Sequence, residues 1–240
     1  MKVGFYLLGE KAFKVISCFL EEFDAHSIAF VVIAKDKNII CDYSEQIERL
    51  CLEFGVSYRF RSNTKGDEAL VSSIAFAIGW RWIISKADSL IVLHDSLLPK
   101  YRGCHTNYLQ ILRGEKYSGV TLHKIDSGID TGDIVDQHRF KIKINDTALN
   151  NYERLMKCSI QLFKKNLNRI LVNKYITKKQ KLSEGSYFNR KSVIYNNKLN
   201  INLKKASLNT HNKIRSLIFP AYQYPFVNGS KIVKSVYKNK

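Results

Sequence analysis

The 240-residue sequence has no apolar run approaching 18 residues, no C-x-x-C pair, no G-x-G-x-x-G after its first strand-like segment and no G-x-x-x-x-G-K-[ST] anywhere. The first absence argues against a transmembrane helix. The opening MKVGFYLLGEKAF leads straight into a strand-like pattern with no small-residue cleavage site, so no signal peptide is expected. The five cysteines (Cys18, Cys41, Cys51, Cys104, Cys158) are scattered and odd in number. They read as reduced thiols of a cytoplasmic protein and offer no zinc site. Without either glycine-rich phosphate motif, an ordinary dinucleotide-binding or P-loop protein is not expected.

Acidic residues are scarce in one part of the chain only. Residues 1–137 hold 16 Lys+Arg against 18 Asp+Glu, a balance of −2. Residues 138–240 hold 23 against 3, so the whole formal excess of +18 comes from the C-terminal part, which stands at +20. Two readings fit this: attraction to nucleic acid or phosphate, or a solvated Lys/Asn-rich surface. The basic residues lack a repeated aromatic or Arg-rich recognition pattern, which favours the second.

What is present is a strand and helix rhythm. Lys2–Leu8 reads as a strand, 11–23 as a helix, Ala29–Ala34 as a strand and 43–54 as a helix with Ile47, Leu50, Cys51 and Phe54 on one face. Val71–Ile78 and Ser89–Leu93 read as further strands. The alternation predicts an α/β fold, doubly wound around a mainly parallel Rossmann-like sheet. Later come strands at Val120–Ile125 and Ile134–Ile144, then a helix over Ala148–Leu171 capped by Asp146 or Thr147. Asn173–Gly185 reads as a polar, Lys-rich linker. The expected organisation is a domain over 1–180 and a small C-terminal subdomain over 181–240 with one short helix near 209–218.

Ligands of such sheets bind beyond the carboxyl ends of the strands. Gly9–Lys11, Gly79–Trp82 and His94–Pro99 all fall at predicted strand ends. His94 begins an apolar-Pro turn that can present an imidazole in a cleft. Further on, Asp126-Ser127-Gly128-Ile129-Asp130-Thr131-Gly132-Asp133 forms a Gly/Asp loop whose tight turns can bring main-chain groups against a planar ligand. A carboxylate reaching the imidazole would orient it for proton transfer. The residues alone leave alternatives open. His94 can be structural, and the three aspartates can be a metal loop or a solvated turn, although their spacing does not match the EF-hand pattern.

The segment His94-Asp95-Ser96-Leu97-Leu98-Pro99-Lys100-Tyr101-Arg102-Gly103 resembles the H-x-S-L-L-P-x-[YF]-[RP]-G signature of folate-dependent formyltransferases. Gly119-Val120-Thr121-Leu122-His123, followed by Gly128-Ile129-Asp130-Thr131-Gly132-Asp133-Ile134, resembles that family's second signature. The resemblance implies transfer of a formyl group from 10-formyltetrahydrofolate by direct attack of an amine, with no metal. It implies His94 and Asp130 as the catalytic pair. It also implies a folate pocket from Trp80, Trp82, Ile84, Leu98, Pro99, Gly128 and Ile129. For the two tryptophans, a place in the core is the competing reading.

One position departs from the family pattern: Val92 stands where the family has an Asn that helps to polarise the formyl oxygen. Asn107 or a protonated His94 can take over that role; slow turnover or lost activity are the alternatives. For the acceptor, Lys11 in the first strand-end loop can meet a phosphate and Tyr222 can stack on a base. After the linker only residues 186–240 remain, too few for the C-terminal barrel of the tRNA enzyme of this family. The layout looks most like the sugar N-formyltransferases. The expected acceptor is therefore an amino sugar on dTDP or UDP, used in lipopolysaccharide or other glycan synthesis by a cytoplasmic, bacterial homodimer with no membrane or nucleic-acid partner. A methionyl-tRNA formyltransferase-like enzyme and a non-catalytic folate- or nucleotide-binding protein are the alternatives.

Overall fold

The computed structural model describes residues 2–38, 40–62, 67–68, 72–85, 89–193, 196–202, 207–220 and 223–237. Its central feature is a seven-stranded sheet. In chain order the strands are β1 (Val3–Leu7), β2 (Ile28–Ile33), β3 (Tyr58–Phe60), β4 (Ile74–Ile78), β5 (Leu90–His94), β6 (Tyr117–Lys124) and β7 (Ile134–Lys141). Their spatial order is β7-β6-β5-β4-β1-β2-β3. The first five are parallel, and β6 runs antiparallel to β5. Because β2 and β3 lie on one side of β1 while β4 and β5 lie on the other, the order reverses between β1 and β4. That is the switch point where α/β sheets leave a crevice at the strands' carboxyl ends.

The central strands read as continuous apolar runs because both of their faces are covered. All five residues of β1 and all five of β4 are buried. Helix α1 (Gly9–Glu22) buries Ala12, Val15, Ile16, Phe19 and Leu20, the three- and four-residue spacing of one helix face. Phe5 packs edge-on to Phe19 with ring centroids 5.1 Å apart and stacks on Phe76 at 5.7 Å. Each such ring removed from water contributes about 1.5–3 kcal/mol. Helix α2 (Ser44–Glu53) buries Ile47 and Cys51, but Phe54 is its C-terminal cap and is 42% exposed, so the expected apolar face ends one turn early. Burial pushes the Cys51 thiol up to about 12, which makes it an inert core residue.

The described chain divides into two compact units: Met1–His94 with Thr121–Gln137 and Ser159–Gln180, and Asp95–Val120 with His138–Cys158 and Lys181–Lys240. In the second, a cluster of Tyr101, Tyr108, Leu109, Leu199, Ile214, Leu217, Ile218 and Val227 joins helix α3 (Thr106–Leu112) to tail residues. The long helix α4 (Ala148–Leu171) starts from a reciprocal cap. Thr147 Oγ1 accepts from Asn150 N at 3.3 Å, and Asn150 Oδ1 accepts from Thr147 N at 3.1 Å. Of the two cap candidates Thr147 is therefore the one used, while Asp146 pairs with Arg154. The short tail helix α5 spans Leu208–Ser216. No helix among the described residues is long and apolar enough to cross a membrane.

The stretch 173–185 is not a free linker. Ile134 and Lys178 exchange two backbone hydrogen bonds of 2.8 Å, and Leu182–Glu184 forms a short 3-10 turn. Its polar, Lys-rich composition conceals this, because the pairing uses backbone atoms whose availability no side chain announces.

Candidate functional site

Three side chains from separate parts of the first unit converge. His94 is the last residue of β5, His123 lies on the neighbouring β6, and Asp130 sits in the loop between β6 and β7. Asp130 Oδ2 lies 3.5 Å from His94 Nδ1, and Asp130 Oδ1 lies 3.5 Å from His123 Nε2. The His94, His123 and Asp130 side chains are 9%, 2% and 17% exposed. One carboxylate between two buried imidazoles is an arrangement for holding and moving a proton. His123 Nδ1 faces the Lys124 carbonyl at 2.8 Å, and because a carbonyl only accepts, that ring nitrogen carries a hydrogen.

The loop is shaped to deliver Asp130. Its backbone is left-handed, φ 52°, a conformation that aspartate tolerates better than most side chains. Gly132 makes a close approach: a Cβ there would lie 1.9 Å from the Lys124 carbonyl oxygen. The other two aspartates have different work. Asp126 Oδ1 accepts from Gly128 N at 3.0 Å and from Thr131 Oγ1 at 2.6 Å, so it folds the loop. Asp133 Oδ2 accepts from Thr177 Oγ1 at 3.3 Å. Among the described residues no group of His, Cys, Asp and Glu has the form of a metal site.

The remaining expected site residues are placed as follows. Gly79, at φ +67°, lets the turn after β4 press on the turn after β1, where a Cβ would stand 2.1 Å from the Leu8 carbonyl oxygen. Trp80 lies edge-on to both Tyr6 and Trp82 at 5.2 Å, and the Arg61 guanidinium lies 4.3 Å over the Trp82 ring. Ile84 is buried in the apolar cluster that Trp80 also packs against. By contrast Ile83 is 84% and Ile129 53% exposed, one on each loop. Lys11 is only 8% exposed on the first turn of α1, unlike a solvated helix-start lysine. In the second unit, Leu98 is buried and Pro99 half-buried in a turn where Ser96 Oγ donates to the Lys100 carbonyl at 2.7 Å. Tyr222 lies outside the described residues.

Val92 sits two residues before His94 on β5, opposite His123 in the ladder, and its side chain packs against the Tyr6, Ala77 and Leu90 cluster. Asn107 is held on both sides of its amide: its Nδ2 donates one hydrogen to the Ala148 carbonyl at 3.0 Å and its Oδ1 accepts from Asn151 at 2.8 Å. A groove of about 480 Å³ in the second unit, lined by Lys198, Leu199, Asn200, Phe226, Asn228 and Gly229, contains no acid–base pair and is not the chemical centre. Sequence reading assigned no role to His123, although strand register places it beside Val92, and gave none to Gln180, which Asp130 precedes by 50 residues.

Residues 21–167 match the family model described as formyl transferase. The chain is 37% identical to a sugar 3N-formyl transferase, WlaRD, solved in the presence of dTDP and 5-N-formyl-THF, with TM-score 0.83 over 100% of this chain and 87% of that one. It is 34% identical to an N-formyltransferase from Helicobacter canadensis in complex with folinic acid and dTDP-3-aminofucose, with TM-score 0.84 over 100% and 89%. Among curated relatives, it is 35% identical over 167 residues to the bifunctional polymyxin resistance protein ArnA of Wigglesworthia glossinidia brevipalpis, covering 65% of this chain and 25% of that protein. It is 41% identical over 97 residues to a methionyl-tRNA formyltransferase of Clostridium tetani, covering 40% and 31%. The chain thus spans a quarter to a third of those two curated relatives.

Proposed function

The chain belongs to the formyl transferase family, and we propose that it transfers a formyl group from 10-formyltetrahydrofolate to the amino group of a dTDP- or UDP-linked amino sugar. The observation that carries this reading is Asp130 set between His94 and His123 at 3.5 Å from each, beside the switch point of the sheet. The two solved relatives of 37% and 34% identity, which match this chain over its whole length, support the sugar acceptor over the tRNA one.

The residues fit the folate. The exposed Ile83 and Ile129 and the edge-on Trp80 and Trp82 pair offer apolar surface to a flat ring. The backbone of 79–84 and of Gly128 and Ile129 offers amides and carbonyls. Leu98 and Pro99 complete this assignment. Lys11 is assigned to a phosphate of the acceptor and Tyr222 to its base. Residues 1–180 carry the chemistry, and 181–240 serve dimerisation or acceptor contact.

Bound 10-formyltetrahydrofolate supplies the formyl carbon. His94 and Asp130 take the proton that the attacking amine must lose and return it to the departing nitrogen. Asp130 orients the His94 ring through Nδ1 and stabilises its protonated form. His94, as the imidazolium, then donates to the formyl oxygen as negative charge gathers there, the task that Val92 cannot perform. The proposal sets this reaction in glycan synthesis in the cytoplasm of a bacterium.

The test is to incubate the protein with 10-formyltetrahydrofolate and a panel of dTDP- and UDP-linked 3- and 4-amino sugars, and to measure a mass gain of one formyl group. Product with one sugar confirms reaction and acceptor together. Formylation of methionyl-tRNA and of none of the sugars would replace the acceptor. Folate binding with no product from either would identify a binding protein.

A further inference from the structure

Asp130 is useful only if something holds it. Its backbone is left-handed, which a non-glycine residue keeps only where its surroundings over-determine it. Its two contacts to imidazole nitrogens, both 3.5 Å, stand at the outer edge of useful distance, so a displacement of about 1 Å would lose them. The restraint comes from the end of the stretch that follows α4. Gln180 Nε2 donates to the Asp130 carbonyl at 3.0 Å and to the Gly132 carbonyl at 2.7 Å. Both facing atoms are carbonyl oxygens, so only the NH₂ end of the amide can be turned toward them.

The amide makes these bonds at a cost to itself. Gln180 Oε1 is buried and has no hydrogen-bond partner among the described residues. A glutamine that served packing alone would be replaced at no loss by an apolar side chain of similar shape. The approach of Gln180 is fixed by its neighbours: Lys178 pairs in both directions with Ile134, and Thr177 Oγ1 donates to Asp133 Oδ2 at 3.3 Å. Residues 177–180 therefore form a strap along 130–134, and its amide pins the carbonyls on either side of Thr131.

We propose that Gln180 is a positioning residue, whose amide holds the Asp130 loop so that the carboxylate meets His94. The proposal rests on the reading of His94 and Asp130 as the proton-handling pair. Its first test needs no substrate: crystal structures of the parent and of Gln180→Leu. The separation of Asp130 Oδ2 from His94 Nδ1 grows by about 1 Å or more in Gln180→Leu. An unchanged separation overturns the proposal. A parent in which the two side chains stand apart overturns both the pairing and the proposal.

The second test reads turnover with the sugar that the parent accepts. Gln180→Leu lowers kcat about 10- to 100-fold and leaves the folate KM within about twofold. Gln180→Glu, of the same shape but with a carboxylate against two carbonyls, falls at least as far. Gln180→Leu added to Asp130→Ala costs nothing more, because both act through one carboxylate. An equal loss in both backgrounds would make Gln180 merely structural. A parent without turnover on any sugar would reject the function instead, leaving the paired crystal structures to decide on Gln180. If Gln180→Leu fails to fold, Gln180→Asn, too short to reach both carbonyls, takes its place in both tests.

Discussion

Both units of this protein bury histidines, one in the second unit and two in the first, and the two units hold them differently. In the second unit His211 is fully engaged: Nδ1 accepts from Ser235 Oγ at 2.7 Å, and Nε2 donates to the Ile144 carbonyl at 2.9 Å. Beside it the buried Arg215 donates to Asn212 Oδ1 at 2.9 Å and to the Asp146 carbonyl at 2.7 Å. In the first unit the His94 and His123 contacts to Asp130 are 3.5 Å each, and His123 Nε2 is buried without a hydrogen bond among the described residues. Saturated, short hydrogen bonds lock a ring in one protonation state and suit it to structure. Longer ones leave a proton room to move and suit a ring to chemistry.

The comparison breaks most visibly at His94 and Asp130. His94→Asn and Asp130→Ala should each lower kcat by about 10³-fold or more, while leaving thermal unfolding close to the parent. Steady-state turnover beside calorimetry checks both halves, and unchanged turnover would end the assignment. His211→Gln should do the reverse, costing about 2–3 kcal/mol of stability with kcat unchanged.

The same histidine sharpens the contrast through pH. Burial lowers the His211 pKa below that of an unfolded histidine, about 6.5. The unfolded chain then binds the proton more readily. Its contribution is complete above about 6.5 and is lost as pH falls through the lowered value. Denaturant melts from pH 7 to 5 should show that loss in the parent and a flatter profile in His211→Gln.

Two smaller effects refine the picture. Val92→Asn restores the family's amide and should raise kcat by about tenfold or less, since His94 already donates; removing a sole donor costs about 10²–10³. It should also cost about 1–2 kcal/mol of stability, because the amide enters an apolar cluster. A 100-fold gain would mean that His94 does not fill the role. Thr147→Ala should cost about 1 kcal/mol through the cap of α4 and leave turnover alone.

Much of the fold was legible because it rests on local pattern. The buried strands β1, β2, β4 and β5 are unbroken apolar runs, and α1 and α4 carry clear helical spacing with a Thr cap for the second. β3 and α3 escaped reading because three and seven residues are too few to display a period. The site was legible in part: His94 and Asp130 stand out because two signatures bracket them. Gln180 does not, since its meaning lies in two carbonyl oxygens 48 and 50 residues earlier.

Side-chain type, spacing and charge, which the sequence states directly, were enough to determine the α/β class and the carboxyl-end loops as the place for chemistry, while the His94 and Asp130 pair was implied only by the resemblance of two signatures. Only the tertiary structure decided which of three aspartates meets the histidines, that the Asn107 amide is tied to Ala148 and Asn151, and that the stretch after α4 is a strap. Each of those depends on which backbone atoms long-range folding brings within hydrogen-bond reach. Every residue carries the same backbone donor and acceptor, so no sequence pattern marks the ones that will be used.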